Sequence, residues 1–356
     1  MITYLVESWG NPSSAHAFGL QAKAGMDRAR SAVAALVGAE SDQVVFTGSA
    51  TEANNTAILS ALRAAPLKRR IVSSSTEHSA VITMGRAQES SGYELVLLPP
   101  LASGVVDLNA LSNAINSDTA LVSIMWANNE TGVINPVADI AALCRQRGVL
   151  FHCDAVQAAG KLPIDLQAIP VDYLSISAHK IHGPKGVGAL IVAPRAPFTP
   201  MLYGGHQETG RRGGTENVPA VMGFAKAANL ASTELLHRTQ HVAVLRDRLE
   251  SRILAEVPGA CVNGFGAPRL SNTTNIGFAG IDSDTLVSLL DQRGICVSSG
   301  SACLSDAVSP SHVILAMTGS YSKASEAIRF SLSHLNTETE IEHAIEAVKQ
   351  AVSSLR

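Results

Sequence analysis

The sequence predicts an α/β fold in which a mostly parallel sheet is covered by helices and followed by a smaller α+β unit. Short apolar runs alternate with stretches of helical periodicity between about residues 43 and 192. Polar clusters follow several of these apolar runs, at the strand ends where open parallel sheets bind ligands. The character of the connections changes near residue 234, which indicates a second unit.

The first unit covers residues 1–234. Its first helix, over residues 14–37, has apolar side chains at helical spacing, from Phe18 to Leu36. The predicted strands lie at residues 43–47, 70–74, 93–98, 121–126, 149–153, 171–176 and 187–192. The predicted helices are one that ends at residue 62 and others at 77–88, 108–115, 138–147 and 218–230, with His78 in the first turn of 77–88.

The second unit covers residues 235–356 and opens with a helix over 235–254. Strands are predicted at 274–278, 294–297 and 327–332, and helices at 283–292 and 311–317. The last helix presents Ile341, Ile345, Val348, Val352 and Leu355 on one face.

Composition excludes several classes of function. The 356 residues are 46% hydrophobic with a net charge of −3, which suits an enzyme core and argues against nucleic acid as a partner. No apolar run reaches the roughly 18 residues that a bilayer span needs, and the N-terminus does not resemble a signal peptide. The five cysteines form no CxxC pair, so we expect free thiols in a reducing cytoplasm.

Lys180 follows the strand at 171–176 in the segment Ser177-Ala178-His179-Lys180. A lysine just past a strand end can face a cleft and form a Schiff base with a carbonyl cofactor. The alternative is an ordinary solvated lysine, so the interpretation depends on the neighbouring strand ends. Asn128 and Asn129 follow one such end and Asp154 and Gln157 follow another, which predicts a single site.

These residues match the needs of pyridoxal phosphate. Lys180 offers an amine and Asp154 a carboxylate that can keep the pyridine nitrogen protonated. Phosphate donors are available from the helix start at Ala50 and Thr51, and from Ser177 and His179, while His78 could stack on the ring. Each residue has a plainer interpretation: a capped helix at Ser49–Thr51, a helix cap for Asp154, a core or capping role for His78, and a surface amide for Gln157.

Cys303 lies in a run of small residues, Ser298-Ser299-Gly300-Ser301-Ala302-Cys303. A free thiol is partly thiolate near neutral pH and strongly nucleophilic, so Cys303 could attack a bound substrate. A buried structural cysteine is the alternative, and it is more favoured for Cys144, Cys153, Cys261 and Cys296.

Arg329 lies within the predicted strand at 327–332, where a buried guanidinium needs a partner. The partner could be the carboxylate of a substrate or the side chain of an internal Asp or Glu, and the sequence does not decide between them. The histidines lack ligand spacing, so a zinc site is not expected.

The chain resembles the NifS/IscS-type cysteine desulfurases, pyridoxal-phosphate enzymes of fold type I within the class-V aminotransferase-like group. The matching motifs run through nearly the whole chain. They are Gly10–Ser14, Thr51–Asn55, Glu77-His78, Asn128–Gly132, Asp154–Gln157, Ser177–Lys180, Arg212–Thr215, Ser298–Cys303 and Arg329–Leu332.

The resemblance implies that Lys180 forms the Schiff base, Asp154 contacts the pyridine nitrogen and Gln157 the ring oxygen. It implies that His78 stacks on the ring and assists proton transfer, and that Thr51, Ser177 and His179 hold the phosphate. Thr215 would reach the phosphate of a second subunit, which implies a homodimer. Asn129 and Arg329 would hold the carboxylate of L-cysteine. Cys303 would take its sulfur as a persulfide, with release of L-alanine, and the sulfur would then pass to an acceptor protein.

The chain departs from the family pattern at its start, because it lacks the Ala-Thr-Thr segment that precedes Gly10–Ser14 in such enzymes. The alternatives are a selenocysteine lyase or aminotransferase on the same scaffold, or a catalytically impaired sulfur-transfer scaffold. The acceptor, in iron–sulfur cluster assembly or thio-modification, is not identified by the sequence.

Overall fold

The computed structural model describes residues 1–300 and 310–356. Its helices are α1 (Ile2–Val6), α2 (Ala17–Leu36), α3 (Ala50–Ala64), α4 (Ser79–Glu89), α5 (Leu108–Ala114), α6 (Val137–Arg147), α7 (Val218–Thr233), α8 (Leu235–Glu256), α9 (Ser283–Asp291), α10 (His312–Thr318), α11 (Tyr321–Ser325) and α12 (Glu338–Ser354). Its strands are β1 (Val44–Thr47), β2 (Arg70–Ser74), β3 (Glu94–Leu98), β4 (Thr119–Ser123), β5 (Leu150–Asp154), β6 (Tyr173–Ser177), β7 (Gly188–Val192), β8 (Ala260–Val262), β9 (Thr273–Phe278), β10 (Ser298–Ser299) and β11 (Ala327–Ser331).

The larger sheet has seven strands in the order β1-β7-β6-β5-β4-β2-β3. Pairings from β3 through β2, β4 and β5 to β6 are parallel, whereas β7 runs antiparallel to both β6 and β1. The mostly parallel sheet predicted from the alternation of strands and helices is therefore confirmed. The parallel strands β5 and β6 are adjacent, so Asp154 and Ser177 end side by side at one edge.

Alternate residues of each strand pack on opposite faces of this sheet, as the two-residue period of a strand requires. Val72 and Val122 belong to the core on one face with α2, α6 and α7, and Ile71 and Leu121 belong to the core under α3. With both faces covered by helices, the central strands are buried and mostly apolar, which is why the sequence predicted them.

The strand predicted at 121–126 was placed too far along the chain: β4 begins at Thr119 and ends at Ser123. Ile124 and Trp126 are still buried, and their N–H groups donate to the carbonyls of His152 (3.1 Å) and Asp154 (2.9 Å). The apolar run thus reflects burial beside β5 rather than a continuous strand.

The smaller sheet has the order β10-β11-β9-β8 with antiparallel pairing throughout. Helices α8, α9 and α12 cover it, and Leu245, Phe278, Ile328 and Ile345 lie in their shared core. The strand predicted at 294–297 is wrong: β10 is Ser298–Ser299. Residues 294 and 295 instead close the end of α9, where Gly294 has a φ of +76° and Ile295 N–H donates to Leu290 O.

The predicted division at residue 234 falls at the junction of α7 and α8. The two largest core clusters lie on either side of it, one within residues 26–231 and the other within residues 242–352. Among the described helices, none is long and apolar enough to span a membrane.

Candidate active site

Lys180 lies in a short 3-10 turn, Ala178–Ile181, that directly follows β6. Ala178 and Ile181 are buried and fix the turn against the core, whereas the Lys180 side chain is exposed. The chain places the amine at the carboxyl end of a central strand, as the sequence predicted, on the wall of a cavity of about 290 Å³.

This cavity brings together predicted residues that are far apart in sequence. Those that line it are Asn129, Gln157, His179, Lys180 and Arg329. Arg329 comes from β11 of the smaller sheet and the other four from loops that follow strands of the larger sheet, so the cavity lies between the two predicted units. That convergence is the geometry an α/β enzyme needs to hold a ligand at its strand ends.

Asp154 ends β5 and is buried. One carboxylate oxygen accepts from Asn54 Nδ2 at 2.7 Å and the other from Val156 N at 3.0 Å. Burial raises the pKa of Asp154, while these hydrogen bonds and the electrostatic interactions with His78 and Lys180 oppose that rise. The carboxylate is thus held in one orientation close to Lys180 by partners that do not neutralise it.

His78 is the N-cap of α4, one position before the predicted first turn. Its Nδ1 accepts from Ala80 N at 3.1 Å, so the proton of the neutral ring is on Nε2. Burial is the main cause that lowers the pKa of His78, with Lys180 adding to this and Asp154 opposing it. The capping interpretation is therefore correct, and it leaves Nε2 available for a second role.

The start of α3 is open to an anion. Ser49 is the N-cap and its Oγ accepts from Glu52 N at 3.2 Å, while the N–H groups of Ala50 and Thr51 precede the first intrahelical bonds. Gly188 lets β7 approach this turn, since a Cβ there would lie 2.8 Å from the carbonyl carbon of Ser49. At the end of β6, the Ser177 hydroxyl and His179 Nδ1 are 2.9 Å apart.

The Arg329 guanidinium reaches from the smaller sheet to the larger unit. Its Nη1 donates to the backbone carbonyl of Asn129 at 3.0 Å. Neither Arg329 Nε nor Asn129 Oδ1 has a hydrogen-bond partner among the described residues, although both atoms are buried. No described carboxylate pairs with Arg329, so the internal ion pair that the sequence left open is absent from residues 1–300 and 310–356.

Glu130 follows Asn129 and marks where the two ends of the Cys303 segment meet. Its buried carboxylate accepts from Ser311 Oγ at 2.5 Å, and a Cβ at Gly300 would lie 2.7 Å from the same Oε2. Burial raises the pKa of Glu130, and the hydrogen bond from Ser311 opposes this. Cys303 itself lies outside the described residues, but Gly300 and Ser311, on either side of its segment, both lie beside Glu130.

Thr215 is not in the Lys180 cavity. It is exposed and lines a separate cavity of about 270 Å³ with Thr47, Gly48 and Arg212. Arg212 forms an ion pair with Glu52 of α3 at 2.9 Å, which holds this glycine-rich loop near the start of that helix. The single chain therefore keeps Thr215 out of the cavity that Lys180 shares with Arg329 and Asn129, but places it near the start of α3.

Sequence reasoning missed the residues that support the site. Asn54 holds Asp154, Glu130 and Ser311 flank the Cys303 segment, and Lys161 and Asn272 line the Lys180 cavity. Asn54 and Glu130 lie inside motifs used for the resemblance, but a motif does not show which partner a side chain meets.

Similarity to known proteins extends over the whole chain. The aminotransferase class-V family model matches residues 1–343. The chain is 46% identical to "Cysteine desulfurase 2" of Trichormus variabilis over 356 residues, all of this chain and 89% of the relative. It is 44% identical to "Cysteine desulfurase NifS" of Azotobacter vinelandii over 357 aligned residues, again all of this chain and 89% of the relative.

A solved structure titled "NIFS-LIKE PROTEIN" superposes with a TM-score of 0.93 and 37% identity, covering 99% of this chain and 94% of that one. The fold type and the family predicted from the sequence are thus confirmed. With its strand-end lysine at the junction of two units and relatives of this similarity along its full length, the chain belongs to the class-V aminotransferase family and, within it, to the NifS-type cysteine desulfurases.

Proposed function

We propose that this chain acts as a pyridoxal-phosphate-dependent cysteine desulfurase with Lys180, Arg329 and Cys303 at the centre of its chemistry. The single observation that carries these assignments is the cavity that Lys180 shares with Arg329 and Asn129. The cavity holds the Lys180 amine, which can bind the cofactor, and the Arg329 guanidinium, which can bind a carboxylate. A cofactor-dependent reaction of an amino acid requires both groups. Enzymes of this family use pyridoxal phosphate.

The residues present fit that cofactor. The buried Asp154 supplies a carboxylate near Lys180, and the α3 start with Ser177 and His179 supplies donors for a phosphate. When bound, pyridoxal phosphate supplies an aldehyde that condenses with amines and a ring that withdraws electrons from an attached amino acid. Lys180 Nζ would carry it, Asp154 would hold the proton of its pyridine nitrogen, and Gln157 would donate to its ring oxygen.

His78 can assist a proton transfer. Its Nδ1 is occupied by Ala80 N–H, so Nε2–H is the group that can donate. Because burial lowers the pKa of His78, the ring is neutral near neutral pH, and Nε2–H can donate a hydrogen bond to a group that takes part in a proton transfer. We assign it, with Lys180 Nζ, to proton transfers at the substrate.

Arg329 and Asn129 would orient the substrate. The buried Nε of Arg329 has no acceptor among the described residues. A carboxylate can accept two hydrogen bonds from one guanidinium, so the carboxylate of the substrate would supply that acceptor. Held at this position, the carboxylate end of L-cysteine fixes which way the thiol side chain extends.

Cys303 then determines the reaction. Its thiolate would attack the substrate sulfur, forming an S–S bond while the carbon–sulfur bond breaks. The electron pair of that bond stays on the substrate carbon, which takes a proton, so the products are L-alanine and a persulfide on Cys303. The sulfur leaves the persulfide for an acceptor protein.

A homodimer is part of this proposal. Thr215 is exposed and lies away from the Lys180 cavity, which suits a residue that contacts the phosphate of a second subunit. A cluster of exposed apolar side chains near the N-terminus also favours burial against another chain: Ile2, Leu5, Val6, Trp9, Phe18 and Leu20. The acceptor protein, the absence of nucleic-acid binding and the cytoplasmic location stay predictions.

The test measures alanine and sulfide released from L-cysteine with a dithiol. Cys303→Ser should retain the cofactor and bind cysteine but release neither product, whereas Cys296→Ser, at an exposed free cysteine outside the Lys180 cavity, should match the wild type. Lys180→Ala should lose the covalently held cofactor, with Lys226→Ala on the exposed face of α7 as its control. Turnover by Cys303→Ser would refute the nucleophile assignment.

A further inference from the structure

A second lysine lies in the same cavity as Lys180. Lys161 is four residues after Gln157 in the turn that follows β5, and both line the cavity. The Lys161 Nζ is 3.0 Å from the backbone carbonyl oxygen of Gln157 and 3.3 Å from its side-chain oxygen Oε1. The proposed chemistry gives this amine no task.

The turn that carries Lys161 is packed tightly against the segment that carries Lys180. Gly160 has a φ of +69°, and a Cβ at this position would lie 2.7 Å from Ile181 Cγ2 and 3.0 Å from Ala231 Cβ. Glycine is therefore required both by the backbone conformation and by the close approach. This packing fixes the distance between the Gln157–Lys161 turn and the residue next to Lys180.

An ammonium group can only donate hydrogen bonds, so the group that faces it must be an acceptor. Lys161 therefore selects the amide orientation of Gln157 in which Oε1 faces Nζ and the Nε2 amide hydrogens face away from it. Without Lys161, both orientations of the amide would be open. Only the orientation selected by Lys161 presents a donor, and the ring oxygen of pyridoxal phosphate is an acceptor.

We propose that Lys161 is a positioning residue that holds the Gln157 amide so that its N–H group, and not its carbonyl, meets the ring oxygen of the cofactor. The inference rests on the proposed function, and it deepens that function by adding a residue to the cofactor site. Burial, with a smaller effect of the Lys180 charge, lowers the pKa of Lys161 to about 7, so the ammonium form, which can only donate, is the main form below pH 7.

The experiment compares Lys161→Met, Lys161→Arg, Gln157→Ala and the double variant Lys161→Met/Gln157→Ala. Each is loaded with pyridoxal phosphate, and the absorbance maximum and the cofactor dissociation constant are measured. Lys161→Met should weaken cofactor binding about fivefold, as the loss of one oriented hydrogen bond predicts, and shift the absorbance maximum. Lys161→Arg, which also only donates, should restore both.

The double variant decides whether Lys161 acts through Gln157. We expect it to match Gln157→Ala, because no amide then remains to orient. If Lys161→Met weakens binding equally in both backgrounds, the positioning role is wrong. Lys161→Gln is the second variant, should Lys161→Met fold poorly, and we expect the same direction of change.

The outcome is separable from the proposed function. If Gln157→Ala changes neither the absorbance nor the affinity, the inference fails, while alanine release that depends on Cys303 would still support the desulfurase. If the wild type binds no cofactor, the proposed function fails instead. Lys226→Met, on the exposed face of α7, controls for the loss of a charge elsewhere.

Discussion

The proposed site has two halves that are built in different ways. On the half proposed to hold the cofactor, here called the cofactor half, Asp154 is buried with both carboxylate oxygens occupied by Asn54 and Val156. On the substrate half, Arg329 Nε and Asn129 Oδ1 are buried without partners among the described residues. In the proposed function, side chains held within one unit bind the resident cofactor. The substrate, which enters and leaves, meets polar atoms at the junction that have no partner among the described residues.

The difference has a physical basis. The cofactor half is made by neighbouring strands of one sheet, whose ladder fixes Asp154 relative to Ser175 across β5 and β6. The substrate half joins β11 to the loop after β4 by the hydrogen bond from Arg329 to the Asn129 carbonyl. Changes in the two halves should therefore separate into effects on cofactor electronics and effects on substrate binding.

The largest effect is expected from Asp154→Asn. The variant keeps the size of the side chain but removes the charge that holds the proton of the pyridine nitrogen, so kcat should fall by about 100- to 1000-fold while the KM for cysteine changes little. Steady-state kinetics and the absorbance spectrum check this, with Asp139→Asn in the first turn of α6 as the control. If Asp154→Asn kept the wild-type kcat, both the role of Asp154 and the proposed difference between the two halves would be wrong.

Arg329→Ala should act on the other half. Losing a hydrogen-bonded charge costs about 1.5–3 kcal/mol, so cysteine binding should weaken roughly tenfold to hundredfold, with unchanged cofactor affinity. Titration of cysteine into the loaded enzyme measures the first and cofactor dissociation the second. Arg293→Ala is the matched control, since Arg293 does not line the cavity and its Nη1 donates to Leu289 O. Unaltered cysteine affinity would remove Arg329 from the substrate site.

The contribution of the buried His152 to the stability of the cofactor half can be tested through its dependence on pH. This buried residue on β5 lies between Ser123 Oγ at 2.8 Å and Ser175 Oγ at 3.0 Å, and burial lowers its pKa to about 3. Since an unfolded histidine titrates near pH 6.5, the unfolded chain binds more protons as the pH falls below that value. His152 should therefore stabilise the fold fully above pH 6.5 and contribute about 2 kcal/mol less at pH 5.

Urea unfolding at pH 5 and pH 7.5 measures that loss of stability. His152→Gln cannot titrate, so its free energy of unfolding should change less between the two pH values, although it starts lower. An equal pH dependence in both proteins would show that His152 is not the group responsible.

Asn54→Ala should have the smallest effect. It removes one of the two described hydrogen bonds to Asp154 and leaves the charge in place, so we expect kcat to fall about twofold to tenfold. Asn55→Ala, at the next position of α3, serves as the control. If kcat of Asn54→Ala fell as far as that of Asp154→Asn, the orientation of the carboxylate by Asn54 would matter as much as its charge.

The sequence predicted most of the larger unit because its strands are buried on both faces and its helices are amphipathic. It failed where apolar character had another cause, as at Ile124–Trp126 beside β5 and at residues 294–297 after α9. Polar residues at strand ends identified the edge that carries Lys180, Asp154 and Ser177, since parallel strands all end at the same edge.

What the sequence determined by itself is the family, the sheet and the identity of the groups with chemistry, because these follow from local pattern and motif. Tertiary structure alone decided the partners: that Arg329 meets the Asn129 carbonyl, that Asn54 holds Asp154 and that Lys161 faces Gln157. Two of these contacts join residues 200 and 100 positions apart in the chain. The third is local, but only the packing of Gly160 against Ile181 gives it a place in the cavity.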